Sequence, residues 1–109
     1  MDILVCFSTC PDASTAERIA RTLVESRLAA CVNLLPGVRS IYRWEGAIAS
    51  EAEVLMMIKT TTAQLPALRE HLVALHPYDV PELIALPVAD GLPAYLQWIA
   101  DGVAPVGTP

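Results

Sequence analysis

The sequence predicts an α+β fold of the ferredoxin-like type, in which a β-α-β-β-α-β chain forms one sheet with two helices on one face. Apolar runs of strand length alternate with helical patterns in this order. The second and third runs are unusually long and meet at a tight turn, and a further helical pattern follows the last strand. With 109 residues the chain has the size of one domain. We expect that domain over residues 1–101, and a flexible tail of Gly, Pro and small residues over 102–109.

The first strand and helix are predicted between Ile3 and Val24. Ile3–Phe7 is an apolar run, and the polar segment after it, residues 8–12, predicts a turn. Apolar side chains then recur at helical spacing, at Ala16, Ile19, Ala20, Leu23 and Val24. Asp12 is expected to cap this helix, and Ser14 with Glu17 has the spacing of a capping box.

A long hairpin follows the first helix. The second strand is predicted from Ala30 to Trp44, with a bulge or bend at Pro36-Gly37, where proline lacks an amide donor and glycine frees the backbone. Glu45-Gly46 turns the chain, and the third strand is predicted from Ala52 to Thr61. The sequence therefore predicts a hairpin that extends beyond a small sheet and offers its edges to neighbours.

The third strand is apolar on both faces, because Val54, Met56 and Ile58 alternate with Leu55 and Met57. Antiparallel hairpins usually leave one face in water, so a two-sided apolar strand indicates that something covers the second face. The composition agrees, since 54% of the residues are hydrophobic and only 17% are charged, against about 25% charged in an average domain. We expect another subunit to cover this face.

The second half of the chain predicts two helices and a strand. The second helix carries Leu65, Leu68, Leu72 and Leu75, with Pro66 in its first turn and Pro77 ending it. Leu83–Val88 is the last strand, and Pro87 places it near an edge or a strand end. Gly91 and Pro93 then open a short helix that includes Leu92, Tyr95, Leu96 and Ile99.

Three segments carry a resemblance to a known family. They are Leu28–Val38 running on through Ile41–Gly46, His76–Glu82, and Gly91-Leu92 followed by Tyr95–Trp98. In these segments the chain resembles the CutA family of divalent-cation-tolerance proteins, over nearly its whole length from about Ile3 to Ala100. The resemblance implies a homotrimer with strands paired between subunits, and metal binding with copper foremost.

Composition and missing motifs exclude several function classes. A net charge of −5 with seven basic residues argues against nucleic acid as a partner. No targeting segment or membrane span is recognisable, so we expect a cytoplasmic protein with no membrane partner. Three cysteines without a CxxC pair suggest neither a disulfide framework nor a zinc knuckle. The absence of a GxSxG elbow or an oxyanion-hole signature predicts that the protein is not an enzyme.

The candidate metal ligands are His76, Glu82 and Cys10. Imidazole and carboxylate suit copper or another divalent ion, and the two prolines of the His76–Glu82 loop hold these groups stiffly, with Asp79 between them. Cys10 precedes the first helix, whose positive end favours an accessible thiolate. The resemblance implies a metal-linked cysteine in this segment in some members, but by spacing it falls on Ser8. The alternative interpretation of His76 and Glu82 is a loop in which Glu82 caps backbone amides and His76 meets solvent or a subunit.

A second candidate site is a cleft between subunits. Its residues are Lys59, Tyr42, Trp44 and Tyr78, aromatic side chains with polar tips and a cation that suits an anionic small molecule. Without a Gly-rich phosphate loop, this interpretation rests on the structural similarity of the family to the nitrogen-regulatory PII trimers. The alternative function is therefore a PII-like signalling or scaffold protein that binds a small anionic ligand or a protein partner.

Overall fold

The computed structural model describes residues 2–105, which form a four-stranded antiparallel sheet in the order β2-β3-β1-β4. The elements are β1 (Ile3–Cys10), α1 (Ala13–Glu25), β2 (Cys31–Trp44), β3 (Ala47–Thr61), a 3₁₀ turn (Thr62–Gln64), α2 (Leu65–Leu75), β4 (Ile84–Pro87) and α3 (Pro93–Gly102). The predicted α+β class, the element order and the additional C-terminal helix are confirmed. No helix among the described residues is long and apolar enough to cross a membrane.

Strand β1 is longer than its apolar run. Ser8, Thr9 and Cys10 pair with Met56, Leu55 and Val54 of β3, so the polar turn predicted to begin at Ser8 is wrong. All three residues are buried, and the turn is confined to Pro11-Asp12. Pairing with β3 satisfies their backbone groups, which outweighs the local preference of Ser and Thr for turns.

Helix α1 is capped by Asp12, as predicted. The Asp12 Oδ1 atom accepts hydrogen bonds from the Thr15 amide at 2.8 Å and from the Ser14 hydroxyl at 2.9 Å. The predicted capping box does not form, because Ser14 serves the Asp12 cap and Glu17 instead pairs with Arg21 at 3.1 Å. The apolar face buries Ala16, Ile19, Ala20 and Leu23.

The hairpin of β2 and β3 is continuous from the Cys31–Lys59 pair to the Trp44–Ala47 pair. A register shift between Leu35 and Val38 places Pro36-Gly37 in the predicted bulge, where Gly37 has a φ of 82°. Glu45 and Gly46 turn the chain with φ values of 49° and 79°, as a two-residue I′ hairpin turn requires. Since pairing resumes directly after this turn, β3 begins at Ala47 and not at Ala52 as predicted.

The two faces of β3 differ as its alternation predicts. Val54, Met56 and Ile58 are buried in the core with Leu68 and Leu72 of α2. Leu55 and Met57 are only half-buried. Helix α3 reaches this second face at Lys59, whose ammonium donates to the Tyr95 hydroxyl at 3.0 Å. Beyond it, the hairpin leaves large apolar side chains exposed, namely Ile41, Trp44 and Ile48.

The last elements need two corrections of boundaries. Helix α2 has its predicted position, but β4 is limited to Ile84–Pro87, an exposed edge strand paired with β1. The predicted tail begins too early, because Gly102 ends α3 and Val103 is buried. The Ala104 amide donates to the Arg27 carbonyl oxygen at 2.8 Å, and the Gln64 amide donates to the Ala104 carbonyl oxygen. Residues 106–109 of the predicted tail lie outside the described residues.

Candidate metal site

Two sulfur atoms and an imidazole converge where the end of β1, the middle of β3 and the segment after α2 meet. The Cys10 Sγ atom lies 3.9 Å from the Met56 Sδ atom and 3.7 Å from the His76 Nε2 atom. Cys10 and Met56 are 0% exposed, and His76 is 7% exposed. The structure therefore brings together two of the three predicted metal ligands, Cys10 and His76, and adds Met56.

His76 is held by hydrogen bonds on both ring nitrogens. It follows the last turn of α2, where its backbone amide donates to the Leu72 carbonyl oxygen at 2.9 Å. Nε2 lies 2.8 Å from the Thr9 carbonyl oxygen and therefore carries the hydrogen, while Nδ1 accepts from the Tyr78 amide at 3.1 Å. The interpretation in which His76 meets solvent or a subunit is wrong, because its ring is buried at the end of the core.

Cys10 is buried, and the predicted accessible thiolate is wrong. The prediction took Cys10 as a turn residue, whereas it is the last residue of β1. The pKa of the Cys10 thiol is raised to about 11, chiefly by burial and also by the carboxylates of Asp12 and Glu53, while the cation of Arg18 opposes them. At neutral pH Cys10 is a protonated thiol.

Glu82 stands apart from these residues. Glu82 and Asp79 are exposed, and the described residues contain no group of three His, Cys, Asp or Glu side chains arranged to hold a metal ion. Glu82 therefore does not join Cys10 and His76 in this conformation. It lies in the segment of residues 76–83, which has no regular helix or strand.

Tyr78 covers the site from the outside. Its ring centroid is 4.7 Å from that of His76, and its hydroxyl donates to the Glu53 Oε2 atom at 2.9 Å. Burial raises the pKa of the Tyr78 phenol, and the hydrogen bond to Glu53 and the charge of Glu53 raise it further. Tyr78, predicted for the subunit cleft, is therefore a neighbour of His76.

The four residues predicted for the subunit cleft do not meet within one chain. The Lys59 ammonium, 5.3 Å from the Tyr95 ring centroid, has a raised pKa because of its hydrogen bond to the Tyr95 hydroxyl. Tyr42 pairs with Ala49 at the far part of the hairpin, and Trp44 is 63% exposed beside the turn. Ala49 and Lys59 are separated by about 33 Å at the ordinary rise of a strand. A cleft containing all four residues requires more than one subunit.

Met56 was missed by the sequence analysis, and Ser8 was named there only as the position to which the family's metal-linked cysteine corresponds by spacing. Met56 was placed on a strand face by alternation, but no sequence signal pairs it with Cys10. Ser8 lies opposite Met56 in the β1-β3 register, and its Oγ atom is buried without a hydrogen-bond partner among the described residues. Cys10 therefore has a thioether and an imidazole beside its thiol, and these three groups are the softer metal ligands of proteins.

Comparisons with known proteins agree with the fold. A family model described as CutA1 divalent ion tolerance protein matches residues 4–102. The chain is 52% identical to the divalent-cation tolerance protein CutA of Thermus thermophilus, over 85% of this chain and 90% of that one. It is 56% identical to protein CutA of Mus musculus over 85% of this chain, but spans only 52% of that relative's length. The crystal structure of CutA from Xylella fastidiosa superposes with a TM-score of 0.93 at 49% identity, covering 95% of this chain and 100% of that one.

Proposed function

The chain belongs to the CutA1 family of divalent ion tolerance proteins, and from this premise we propose that it acts as a homotrimer that binds metal ions, copper foremost. Family membership supports a role in divalent-cation tolerance. The proposed role is binding and not catalysis. The observation that carries the proposal is the 3.7 Å approach of the Cys10 Sγ atom to the His76 Nε2 atom, since thiolate and imidazole both suit copper.

A divalent ion at this pair needs a second negative charge. The Cys10 thiolate supplies one, and a buried charge without compensation is costly. The nearby carboxylates are already engaged, because Asp12 caps α1 and Glu53 accepts from Tyr78. Glu82 is exposed in the segment after His76, and we propose that this segment moves to bring its carboxylate to the ion. Cys10, His76 and Glu82 then act as the ligands of the divalent site.

Calorimetric titration with Cu²⁺ tests this proposal. We expect saturable binding by the wild-type protein and at least about tenfold weaker binding by a Glu82→Gln variant, since a charged ligand is lost. Asp79→Asn is the matched control, because Asp79 is exposed in the same segment. Equal binding by all three proteins contradicts the role of Glu82. No saturable binding of Cu²⁺, Zn²⁺ or Co²⁺ by the wild-type protein contradicts divalent-metal binding as a whole.

The proposed trimer is supported by the second face of β3. Leu55 and Met57 are half-buried within one chain, and the hairpin exposes Ile41, Trp44 and Ile48. Large exposed apolar surfaces on soluble proteins are usually interaction sites. Light scattering at micromolar concentration measures the assembly, and a stable monomer contradicts the proposal.

A cytoplasmic location is part of the proposal. All three cysteines are free in the described structure, a state typical of proteins in reducing compartments. Fractionation of cells with a compartment-specific marker checks it. The PII-like alternative has no observation of its own within one chain, because a cleft containing Lys59, Tyr42, Trp44 and Tyr78 forms only between subunits.

A further inference from the structure

We propose that Asp90 is a modification site, at which the backbone amide of Gly91 attacks the Asp90 side chain and converts this residue to isoaspartate. The site lies in the loop of residues 88–92, between β4 and α3. The modified chain is a substrate for enzymes that methylate isoaspartyl carboxylates. The inference goes beyond the proposed function, because it does not depend on metal binding.

The sequence restricts this reaction to two positions. Asp90 and Asp101 each precede a glycine, whereas the other aspartates precede residues with side chains, namely Ile3, Ala13 and Val80. A glycine has no Cβ atom, so it leaves the approach to its backbone nitrogen open and lets the chain rotate freely. The two Asp-Gly pairs are therefore the candidates, and the structure distinguishes them.

The Asp90 carboxyl group already lies against the nitrogen that attacks it. The Gly91 amide nitrogen is 2.8 Å from the Asp90 Oδ1 atom. Because Oδ1 is bonded to the carboxyl carbon, this contact brings the two reacting atoms together, as a productive approach requires. Both residues are exposed, in a loop without regular helix or strand. The backbone rotation that closes the ring is therefore not opposed by helix or strand hydrogen bonds.

The second Asp-Gly pair is held in an unreactive conformation. Asp101 and Gly102 are the last residues of α3, and the Asp101 Oδ1 atom accepts a hydrogen bond from the Gln97 side chain at 2.8 Å. This bond directs the carboxylate toward the preceding turn and away from the amide that follows it. Gly102 is also closely packed, since a Cβ atom there would lie 2.8 Å from that of Ala30. Asp101 is therefore an internal control for Asp90.

The reaction has two balanced steps and needs only water. First, a bond forms between the Gly91 nitrogen and the Asp90 carboxyl carbon, and the amide proton and one proton from solvent leave with a carboxyl oxygen as water. The product is a cyclic succinimide. Water then opens the ring at either carbonyl. One opening restores aspartate, and the other gives isoaspartate, in which the chain runs through the side-chain carbons and the former backbone carbonyl becomes a free carboxylate.

The modification changes the chain directly before α3. Isoaspartate adds one carbon to the backbone of the loop, two residues before Leu92. The Leu92 carbonyl oxygen accepts from the Tyr95 amide at 2.9 Å and so forms the first turn of α3. The Tyr95 hydroxyl in turn accepts from the Lys59 ammonium of β3. We therefore expect the modified chain to hold α3 less firmly on the sheet and to melt at a lower temperature.

Ageing of the full chain at physiological temperature and pH tests the inference. Because Arg69 is the last basic residue, trypsin releases residues 70–109 as one peptide that carries both Asp-Gly pairs. Electron-transfer fragmentation then locates isoaspartate within this peptide. We expect isoaspartate to form at least about tenfold faster at Asp90 than at Asp101, since a small misplacement of reacting atoms costs this much or more. Equal rates at the two positions, or no isoaspartate at Asp90, overturn the inference.

Two variants test the route through Gly91. Gly91→Ala should slow the reaction at Asp90 about tenfold or more, because a methyl group hinders the attack, and its Cβ atom would meet only the flexible Leu96 side chain, at 3.2 Å. Asp90→Glu should abolish the modification there, because the longer side chain cannot form the five-membered ring. Asp101→Glu is the matched control and should leave the rate at Asp90 unchanged.

A second readout counts the modified residues without fragmentation. An isoaspartyl-protein methyltransferase transfers a labelled methyl group from S-adenosylmethionine to isoaspartate, and the label should rise with age in the wild type and in Asp101→Glu. Gly91→Ala and Asp90→Glu should take up little label. Label uptake by aged Gly91→Ala that equals that of the wild type contradicts the attack by the Gly91 amide.

Discussion

The Nε2 atom of His76 lies 2.8 Å from the Thr9 carbonyl oxygen and donates its hydrogen to it. This bond joins the end of β1 to the segment after α2. With the Tyr78 amide bonded to Nδ1 at 3.1 Å, it makes His76 the centre of a buried connection between elements far apart in the sequence. His76 is therefore a structural residue in the metal-free protein as well as a candidate ligand.

Replacing His76 should destabilise the metal-free protein. We expect His76→Ala to lower the free energy of unfolding by about 2–4 kcal/mol, because it removes a buried ring and leaves the Thr9 carbonyl and the Tyr78 amide without their partner. Urea unfolding at a fixed protein concentration measures the change. His71→Ala is the control, since His71 is exposed and hydrogen-bonds to the Ala67 carbonyl oxygen of its own helix. Equal losses in both variants contradict the assigned role.

Alkaline pH should weaken the fold through its buried thiols. Burial raises the pKa of Cys6 and of Cys10 from 9.0 to about 11. Between these values the unfolded chain has lost the thiol protons while the folded chain retains them, so stability falls as pH rises. We expect the contribution to be complete below pH 9 and lost through about pH 11. Urea midpoints across this range measure it, and a Cys6→Ala, Cys10→Ala double variant should show a flatter profile; an unchanged profile contradicts the assignment.

The Tyr78 hydroxyl should contribute to holding the segment after α2 on the sheet. We expect Tyr78→Phe to cost about 1–2 kcal/mol, because the Glu53 carboxylate loses a hydrogen bond in a half-buried place. Tyr42→Phe is the control and should cost less, since Tyr42 lies on the exposed hairpin. Alkaline absorbance titration in a Tyr42→Phe background gives a second readout: the pKa of Tyr42 and of Tyr78 is raised, so adding Tyr78→Phe there should remove the remaining late-titrating tyrosine. A late-titrating tyrosine that remains after Tyr78→Phe contradicts the assignment.

Assembly should depend on the second face of β3. We expect Met57→Lys to shift the protein toward smaller species and to lower its melting temperature, because a charge on a covered apolar face is costly. The melting temperature of the wild-type protein should rise with protein concentration. Glu70→Lys, a charge change at an exposed position of α2, is the control, because α2 packs on the other face of the sheet. Light scattering that finds the same mass for wild type and Met57→Lys argues against this interface.

Patterned elements of the fold were predictable from the sequence, and the site was predictable only in part. Leucine spacing located α2, and Pro36-Gly37 and Glu45-Gly46 located the bulge and the turn, because local chemistry determines these features. The end of β1 was not predictable, since Ser8 and Thr9 favour turns locally and are held in a strand by pairing with β3. The meeting of Cys10 and Met56, 46 positions apart, follows from strand register alone.

The burial of His76 was missed for the same reason. Its partners are the backbone carbonyl of Thr9 and the amide of Tyr78, which leave no trace in residue type. The separation of Glu82 from Cys10 was also unforeseen, because a short segment with two prolines does not specify which side chains point inward.

Titration of the wild-type protein and of Cys10→Ala with Cu²⁺ shows whether Cys10 is part of the metal site. Cys6→Ala serves as the fold-matched control. We expect saturable binding of Cu²⁺ by the wild type and by Cys6→Ala, and loss of this binding in a Cys10→Ala protein that keeps its oligomeric state. Undiminished binding by a folded Cys10→Ala protein would contradict the account and place the metal elsewhere on the chain.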